Sequence, residues 1–173
     1  MLALVSGGVS SGQLAQPARS GFIPSPLGEK QHPPQDHAMG NRVFEQAIVI
    51  REEHLDTFGH VNNARYLEIF EQARWDLITD NGFGLDYVQS SGTGPVILEI
   101  NLRFLREIKN RQHLLVRSFV DSYEGKIGRM TQLLIDDSAQ ICCEGKFVIA
   151  QWDTRTRKLI PPTPEWRAAI GLE

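Results

Sequence analysis

Cysteine is nearly absent from this sequence, and its scarcity excludes several kinds of site. The two cysteines, Cys142 and Cys143, are adjacent in the chain. Neighbouring residues of a strand point to opposite faces, so a disulfide between them is not expected. Neither has a companion ligand at the spacing of a zinc site, which favours small buried hydrophobic residues over a metal centre or a nucleophile. This cysteine usage fits a reducing compartment, and we predict a cytoplasmic protein.

Strong net charge and long apolar runs are lacking as well. Lysine and arginine total 18 against 21 aspartate and glutamate residues, and the formal charge of -3 gives no general attraction to nucleic acid. No apolar run has the length of a membrane span, so none is expected. With 173 residues, 41% of them hydrophobic, the chain can bury one substantial core, which favours one main domain.

Residues 1–40 lack the apolar periodicity of a folded segment. They are rich in glycine, serine, proline and glutamine, so we predict a disordered extension that can be removed with little loss of stability or activity. A secretory signal is poorly supported, because no positively charged stretch precedes the apolar start. A transit segment and a natural start at Met39 are the alternatives.

The rest of the sequence predicts an α+β layout, with one main domain over residues 41–152. Alternating apolar and polar residues indicate strands over 43–50, 96–105, 112–122, 126–135 and 140–151. Helical spacing of apolar residues indicates one long helix from about Val61 to Asp80, with Gly82 as its C-terminal cap. The following stretch up to Pro95 is expected to be a flexible loop.

Residues 153–173 are expected to form a tail that carries one short helix. Pro164 follows Thr163, and proline is favoured at the first helical position. Trp166 and Ile170 are the apolar residues that could dock this helix on the core.

A polar turn precedes the long helix and suggests a site. Asp56 comes first, Gly59 permits a backbone conformation closed to other residues, and either Asn62 or Asn63 can cap the helix. The free N–H groups of the first turn and the positive end of the helix dipole suit an oxyanion. A carbonyl bound there would be polarised while a carboxylate attacked it or activated water. His60 could position that water or only hydrogen-bond the backbone.

Residues 56–74 carry the pattern D-x-x-G-H-V-N-N-x-x-Y-L-x-x-F-E-x-A-R. It resembles the hotdog-fold thioesterases of the 4-hydroxybenzoyl-CoA thioesterase-like superfamily, and His60-Val61-Asn62-Asn63 is also similar to a motif of acyl-ACP thioesterases. The resemblance implies an antiparallel sheet wrapped around one long helix and hydrolysis of an acyl-CoA or acyl-carrier-protein thioester. It implies Asp56 as nucleophile or general base, with the Asn63 backbone N–H on the thioester oxygen. The residues expected beside the substrate are Gly59, Val61, Asn62 and Tyr66.

A second stretch, over residues 104–109, resembles a Tyr-Leu-Arg-Pro-Leu-Lys segment of the same family, with Glu107 in place of the proline. We expect some of its basic residues and their neighbours, chiefly Arg103, Arg106 and Lys109, to meet the phosphates of coenzyme A. Coenzyme A is then part of the substrate, and neither a metal nor another cofactor is implied. Family members build their sites between subunits, which implies a homodimer or homotetramer.

Other interpretations remain open at this stage. A hotdog hydratase or dehydratase also uses an acid and a histidine near this helix, but the Asn-Pro and His-Phe-Pro motifs of those families are missing around Asp56. A catalytically silent domain that binds acyl groups is the alternative from another class. A further hotdog branch places its acid inside the helix, where Glu68 and Glu71 lie here.

Overall fold

The computed structural model describes residues 41–172, so the extension predicted for residues 1–40 lies outside the described residues. The helices are α1 (Asn63–Asp80), α2 (Leu85–Ser91) and α3 (Pro164–Ala169). The strands are β1 (Phe44–Val49), β2 (Thr93–Phe104), β3 (His113–Glu124), β4 (Ile127–Asp136), β5 (Ile141–Asp153) and β6 (Lys158–Ile160). All pairings are antiparallel, in the order β1-β3-β4-β5-β2, and β6 pairs with the end of β5. The predicted α+β layout is confirmed.

The long helix α1 packs its apolar side against the sheet. The buried residues of α1 are Tyr66, Ile69, Phe70, Ala73, Leu77 and Ile78. Phe70 is fully buried, and its ring meets Phe147 of β5 edge to face at a centroid distance of 5.8 Å. Burial of one large aromatic side chain supplies about 1.5–3 kcal/mol, so this face accounts for much of what holds α1 on the sheet.

Both ends of α1 are fixed by their sequence. At the start, the Asn62 side chain accepts a hydrogen bond from the Ala64 N–H, so Asn62 is the cap between the two candidates. At the end, Gly82 adopts a φ of +82°, and the Phe83 N–H donates to the Ile78 carbonyl at 2.8 Å. That pairing is the Schellman arrangement that glycine favours, and the predicted cap at Gly82 is confirmed.

The expectation of a flexible loop between residue 82 and Pro95 is wrong, because α2 occupies residues 85–91. Tyr87 of α2 stacks on Phe83 with ring centroids 4.5 Å apart, and Gly92 ends the helix in the left-handed conformation. A helix of seven residues spans only about two turns, too few for a periodic apolar pattern. The short strand β6 was missed for the same reason.

The C-terminal tail is tied to the sheet by a buried glutamine. Gln151 of β5 is fully buried, and its Oε1 accepts a hydrogen bond from the Thr163 N–H at 2.8 Å. The Thr163 hydroxyl in turn caps α3 by accepting from the Trp166 N–H. Trp166 and Ile170 are both buried in the main core, which confirms the predicted docking of this helix.

Candidate active site

The Asp56 turn is held by its own backbone and by one carboxylate oxygen. Asp56 Oδ1 accepts hydrogen bonds from the Phe58 N–H at 2.8 Å and from the His60 N–H at 3.3 Å. The Asp56 N–H donates to the His60 carbonyl at 2.8 Å, and Gly59 has the positive φ of +78° that the turn requires. Among the described residues Oδ2 has no hydrogen-bond partner. One oxygen of the carboxylate therefore fixes the turn, and the other is available.

The N-terminus of α1 follows directly and leaves one backbone donor unused. The Ala64 N–H donates to the Asn62 side chain, and the Arg65 N–H donates to the Asn62 carbonyl at 2.9 Å. The Asn63 N–H donates to no group within residues 41–172. Orphan N–H groups of a first turn face the positive end of the helix dipole, so this donor suits a carbonyl or anionic oxygen.

His60 belongs to a charged cluster beside this turn. Its Nε2 lies 2.9 Å from Oε2 of Glu107, while Oε1 of Glu107 lies 2.9 Å from Nζ of Lys109. The hydrogen bond from Lys109 and the charge of His60 lower the pKa of Glu107, so the carboxylate is ionised at neutral pH. Glu107 stands where the resembled segment has proline. Its carboxylate holds the His60 ring, while the His60 N–H donates to Asp56.

Val61 and Tyr66, two of the residues expected beside the substrate, are buried. Tyr66 is 4% exposed, and its ring meets Phe104 of β2 edge to face at 4.9 Å. Burial raises the pKa of the Tyr66 hydroxyl, with a smaller contribution from the nearby Asp56 carboxylate. The Val61 N–H donates to the Ile108 carbonyl and so pins the start of α1 to the segment after β2.

The basic residues expected to meet coenzyme A all have partners within the chain. Arg103 pairs with Glu144 at 2.8 Å, and Lys109 pairs with Glu107. Arg106 is exposed and donates to the neutral Gln140 side chain at 3.1 Å. Lys109 lies beside the Asp56 turn, because residues 60 and 109 form a β-bridge.

A buried polar network under α1 had no signal in the sequence. Arg74 Nη1 donates to Oε1 of Gln132 at 2.6 Å, and Gln132 Nε2 donates to the Ser118 hydroxyl and to the Phe70 carbonyl. Gln132 is fully buried in β4. Removal from water lowers the pKa of Arg74 to about 10, with the charge of Glu71 opposing the shift. Sequence separation hides such a pair, because Arg74 and Gln132 lie 58 positions apart.

Both cysteines are buried thiols. Burial raises the pKa of Cys142 and of Cys143 to about 12. Within residues 41–172, no group of three or more histidine, cysteine, aspartate or glutamate side chains has the arrangement of a metal site. No helix in that part of the chain has the length and apolar character to cross a bilayer.

Comparison with known sequences points to one family. The thioesterase-like superfamily matches residues 50–170. The long-chain acyl-CoA thioesterase FadM of Escherichia coli is 30% identical over 124 residues, which are 71% of this chain and 93% of that protein. The L-carnitine dehydrogenase/betainyl-CoA thioesterase of Agrobacterium fabrum is 23% identical over 116 residues, 67% of this chain but only 24% of that protein.

Solved structures show the same architecture. YbaW, a probable thioesterase from Escherichia coli, superposes with a TM-score of 0.66 at 27% identity, covering 73% of this chain and 98% of that one. SAV2348 from Staphylococcus aureus, determined in complex with CoA, superposes with a TM-score of 0.70 at 17% identity, covering 78% and 85%. The second likeness concerns the fold alone. The predicted hotdog fold is confirmed.

Proposed function

Because this chain belongs to the thioesterase-like superfamily, we propose that it hydrolyses acyl-CoA to a free acid and a thiol, with Asp56 and the N-terminus of α1 as its catalytic groups. The family and the relatives make it a thioester hydrolase. The acyl-CoA substrate is supported by FadM, which is named for long-chain acyl-CoA and is matched over 93% of its length.

One observation carries the catalytic assignment: an available carboxylate oxygen and an unused first-turn N–H lie within one stretch of eight residues. The Asn63 N–H polarises the thioester carbonyl and stabilises the oxyanion that forms on it. Asp56, through Oδ2, either attacks the carbonyl carbon or removes a proton from the attacking water. The thiolate leaves without a strong general acid, because a simple thiol has a pKa of about 8.5.

His60 is assigned a positioning role. The His60 N–H donates to Asp56, and the His60 ring is held by Glu107. In this proposal His60 orients the carboxylate or the water, and Gly59, Val61, Asn62 and Tyr66 shape the surrounding wall. Arg106 is the strongest candidate for a phosphate of coenzyme A, since its partner Gln140 is neutral, whereas Arg103 and Lys109 already face carboxylates.

The proposal also includes self-association of the protein through one edge of the sheet. Strand β2 is an edge of the sheet, and four of its large apolar side chains are substantially exposed: Ile97, Leu98, Ile100 and Phe104. An exposed apolar edge strand is a surface that pairs with another chain. We propose a homodimer through β2, alone or as half of a tetramer. A stable, fully active monomer in light scattering would contradict it.

Thiol release from a panel of short, long and aromatic acyl-CoAs, with an acyl-carrier-protein thioester alongside, tests the reaction. Asp56→Asn, which keeps the shape and removes the charge, is compared with Glu71→Gln as the matched change inside α1. We expect Asp56→Asn to lose activity and Glu71→Gln to keep most of it. Loss in Glu71→Gln alone would move the catalytic acid into the helix, and no thiol release from any substrate would refute thioester hydrolysis.

A further inference from the structure

An apolar cavity of about 110 Å³ lies beside the second half of α1, away from the Asp56 turn. Its walls come from α1, β2, β4, β5 and the C-terminal segment around α3. Most of the lining is apolar and includes Trp75, Ile78, Ile97, Met130, Ile149 and Trp166. The charged residues in the wall are Glu71 and Arg74.

The guanidinium of Arg74 is a half-buried cation without a paired carboxylate. Among the described residues it makes one hydrogen bond, to the neutral Gln132 side chain, and its Cζ lies 4.4 Å from the centroid of the Phe147 ring. A guanidinium has five N–H donors and no acceptor. The unused donors of Arg74 are not sealed inside the protein, and they belong to a side chain that lines the cavity.

We propose that this cavity receives the far end of the acyl chain and that Arg74 binds an oxygen atom carried there. The inference rests on the proposed thioester hydrolysis and names a substrate class for it: long acyl thioesters oxygenated at or near the end distant from the sulfur. A purely alkyl end would fill the apolar walls but displace water from the unused Arg74 donors without replacing its hydrogen bonds, so the site disfavours a ligand that lacks the acceptor.

The position of Arg74 sets the chain length. Arg74 follows Asn63 by 11 positions in the same helix, a distance of roughly 16 Å at about 1.5 Å per residue. Carbon–carbon bonds are about 1.5 Å long and zigzag in an extended chain, so on the order of a dozen carbons separate a carbonyl at Asn63 from the cavity. A terminal oxygen on a short acyl group cannot reach it.

Glu71 selects the kind of oxygen. Its exposed carboxylate lies in the same wall and repels an anion that approaches Arg74. A hydroxyl or keto oxygen accepts from Arg74 without that repulsion. The wild-type protein therefore favours a neutral oxygenated end over a terminal carboxylate.

The test measures kcat/KM from thiol release on acyl-CoAs of matched length that end in a methyl, a hydroxyl or a carboxylate group. At about twelve carbons or more we expect the terminal hydroxyl to be preferred over the methyl end by roughly tenfold, the usual scale of a hydrogen bond to a charged group. Short pairs should show no preference. Equal values for the methyl and hydroxyl ends at every length would overturn the inference.

Paired variants separate recognition from folding. Arg74→Gln should abolish the hydroxyl preference, and Glu71→Gln should raise the rate on the carboxylate end relative to the hydroxyl end. Arg129→Gln is the matched control, because Arg129 is exposed on the opposite face of β4 from Gln132. If Arg74→Gln does not fold, the same ratios are measured on Arg74→Lys and Glu71→Gln instead. An unchanged ratio in every folded variant refutes the site, whereas failure to release thiol from any acyl-CoA refutes the hydrolase itself.

Discussion

Two parts of α1 differ in what their residues contact: the first turn, which Asn62 caps, and the sheet-facing side chains from Phe70 onward. The first turn is partly exposed, and the side-chain hydrogen bonds of Asn62 and of the adjoining Asp56 turn are local. Phe70 is buried and Arg74 is half-buried, and their contacts reach β5 and β4 respectively. Turnover should therefore depend mainly on the first turn, and the free energy of unfolding on the sheet-facing side chains. Substitutions in each part should be separable by measuring both quantities.

The largest effect is expected among the sheet-facing side chains. Phe70→Ala removes a fully buried ring and leaves a cavity against Phe147. A loss of about 3–5 kcal/mol in the free energy of unfolding is typical of such a change. Urea denaturation measures it. A loss below about 1 kcal/mol would mean that the sheet closes over the gap and that Phe70 contributes less than its burial indicates.

Asp56→Asn should give the next largest effect, and this effect is on turnover. The amide can still accept from the Phe58 N–H, so the turn is kept, while the charge that we propose acts on the thioester or on water is lost. We expect turnover to fall at least about a hundredfold, with an unfolding midpoint close to that of the wild type. A large fall in the midpoint would show that the two parts of α1 are not separable.

Asn62→Ala should lower stability by about 1 kcal/mol, because the Ala64 N–H loses its capping acceptor. It is the one change at the first turn expected to alter both quantities, since the orientation of this turn also positions the Asn63 N–H. Asn62→Asp keeps a capping oxygen and serves as the control. If both variants matched the wild type in thermal unfolding, the cap would contribute nothing to stability.

Glu107→Gln is expected to have the smallest effect on stability, with an unfolding midpoint close to that of the wild type, because its contacts with His60 and Lys109 are exposed. Its effect on turnover should be smaller than that of Asp56→Asn and similar to that of His60→Ala. A double variant, His60→Ala with Glu107→Gln, should be no slower than the slower single variant if Glu107 acts through His60. Additive losses would show independent roles.

Local sequence signals predicted the parts of this fold that repeat over many residues. The buried face of α1, a cap at Asn62 or Asn63 and the Gly82 end follow from spacing within one helix, and alternation placed five strands. The features that the sequence did not predict were missed for two physical reasons. The elements α2 and β6 are too short for a periodic pattern. The pairs His60–Glu107 and Arg74–Gln132 join side chains far apart in sequence, so only the sheet topology brings them together.

The buried state of Cys142 and Cys143 has a practical consequence for a hydrolase whose product is a thiol. With thiol pKa values near 12 and no exposed sulfur, the folded protein offers almost no thiolate to compete with the released coenzyme. In a continuous assay, aromatic disulfide reagents should therefore react with the released thiol and not with the protein. Oxidants such as hydrogen peroxide should leave the sulfurs of Cys142 and Cys143 unmodified while the fold is intact.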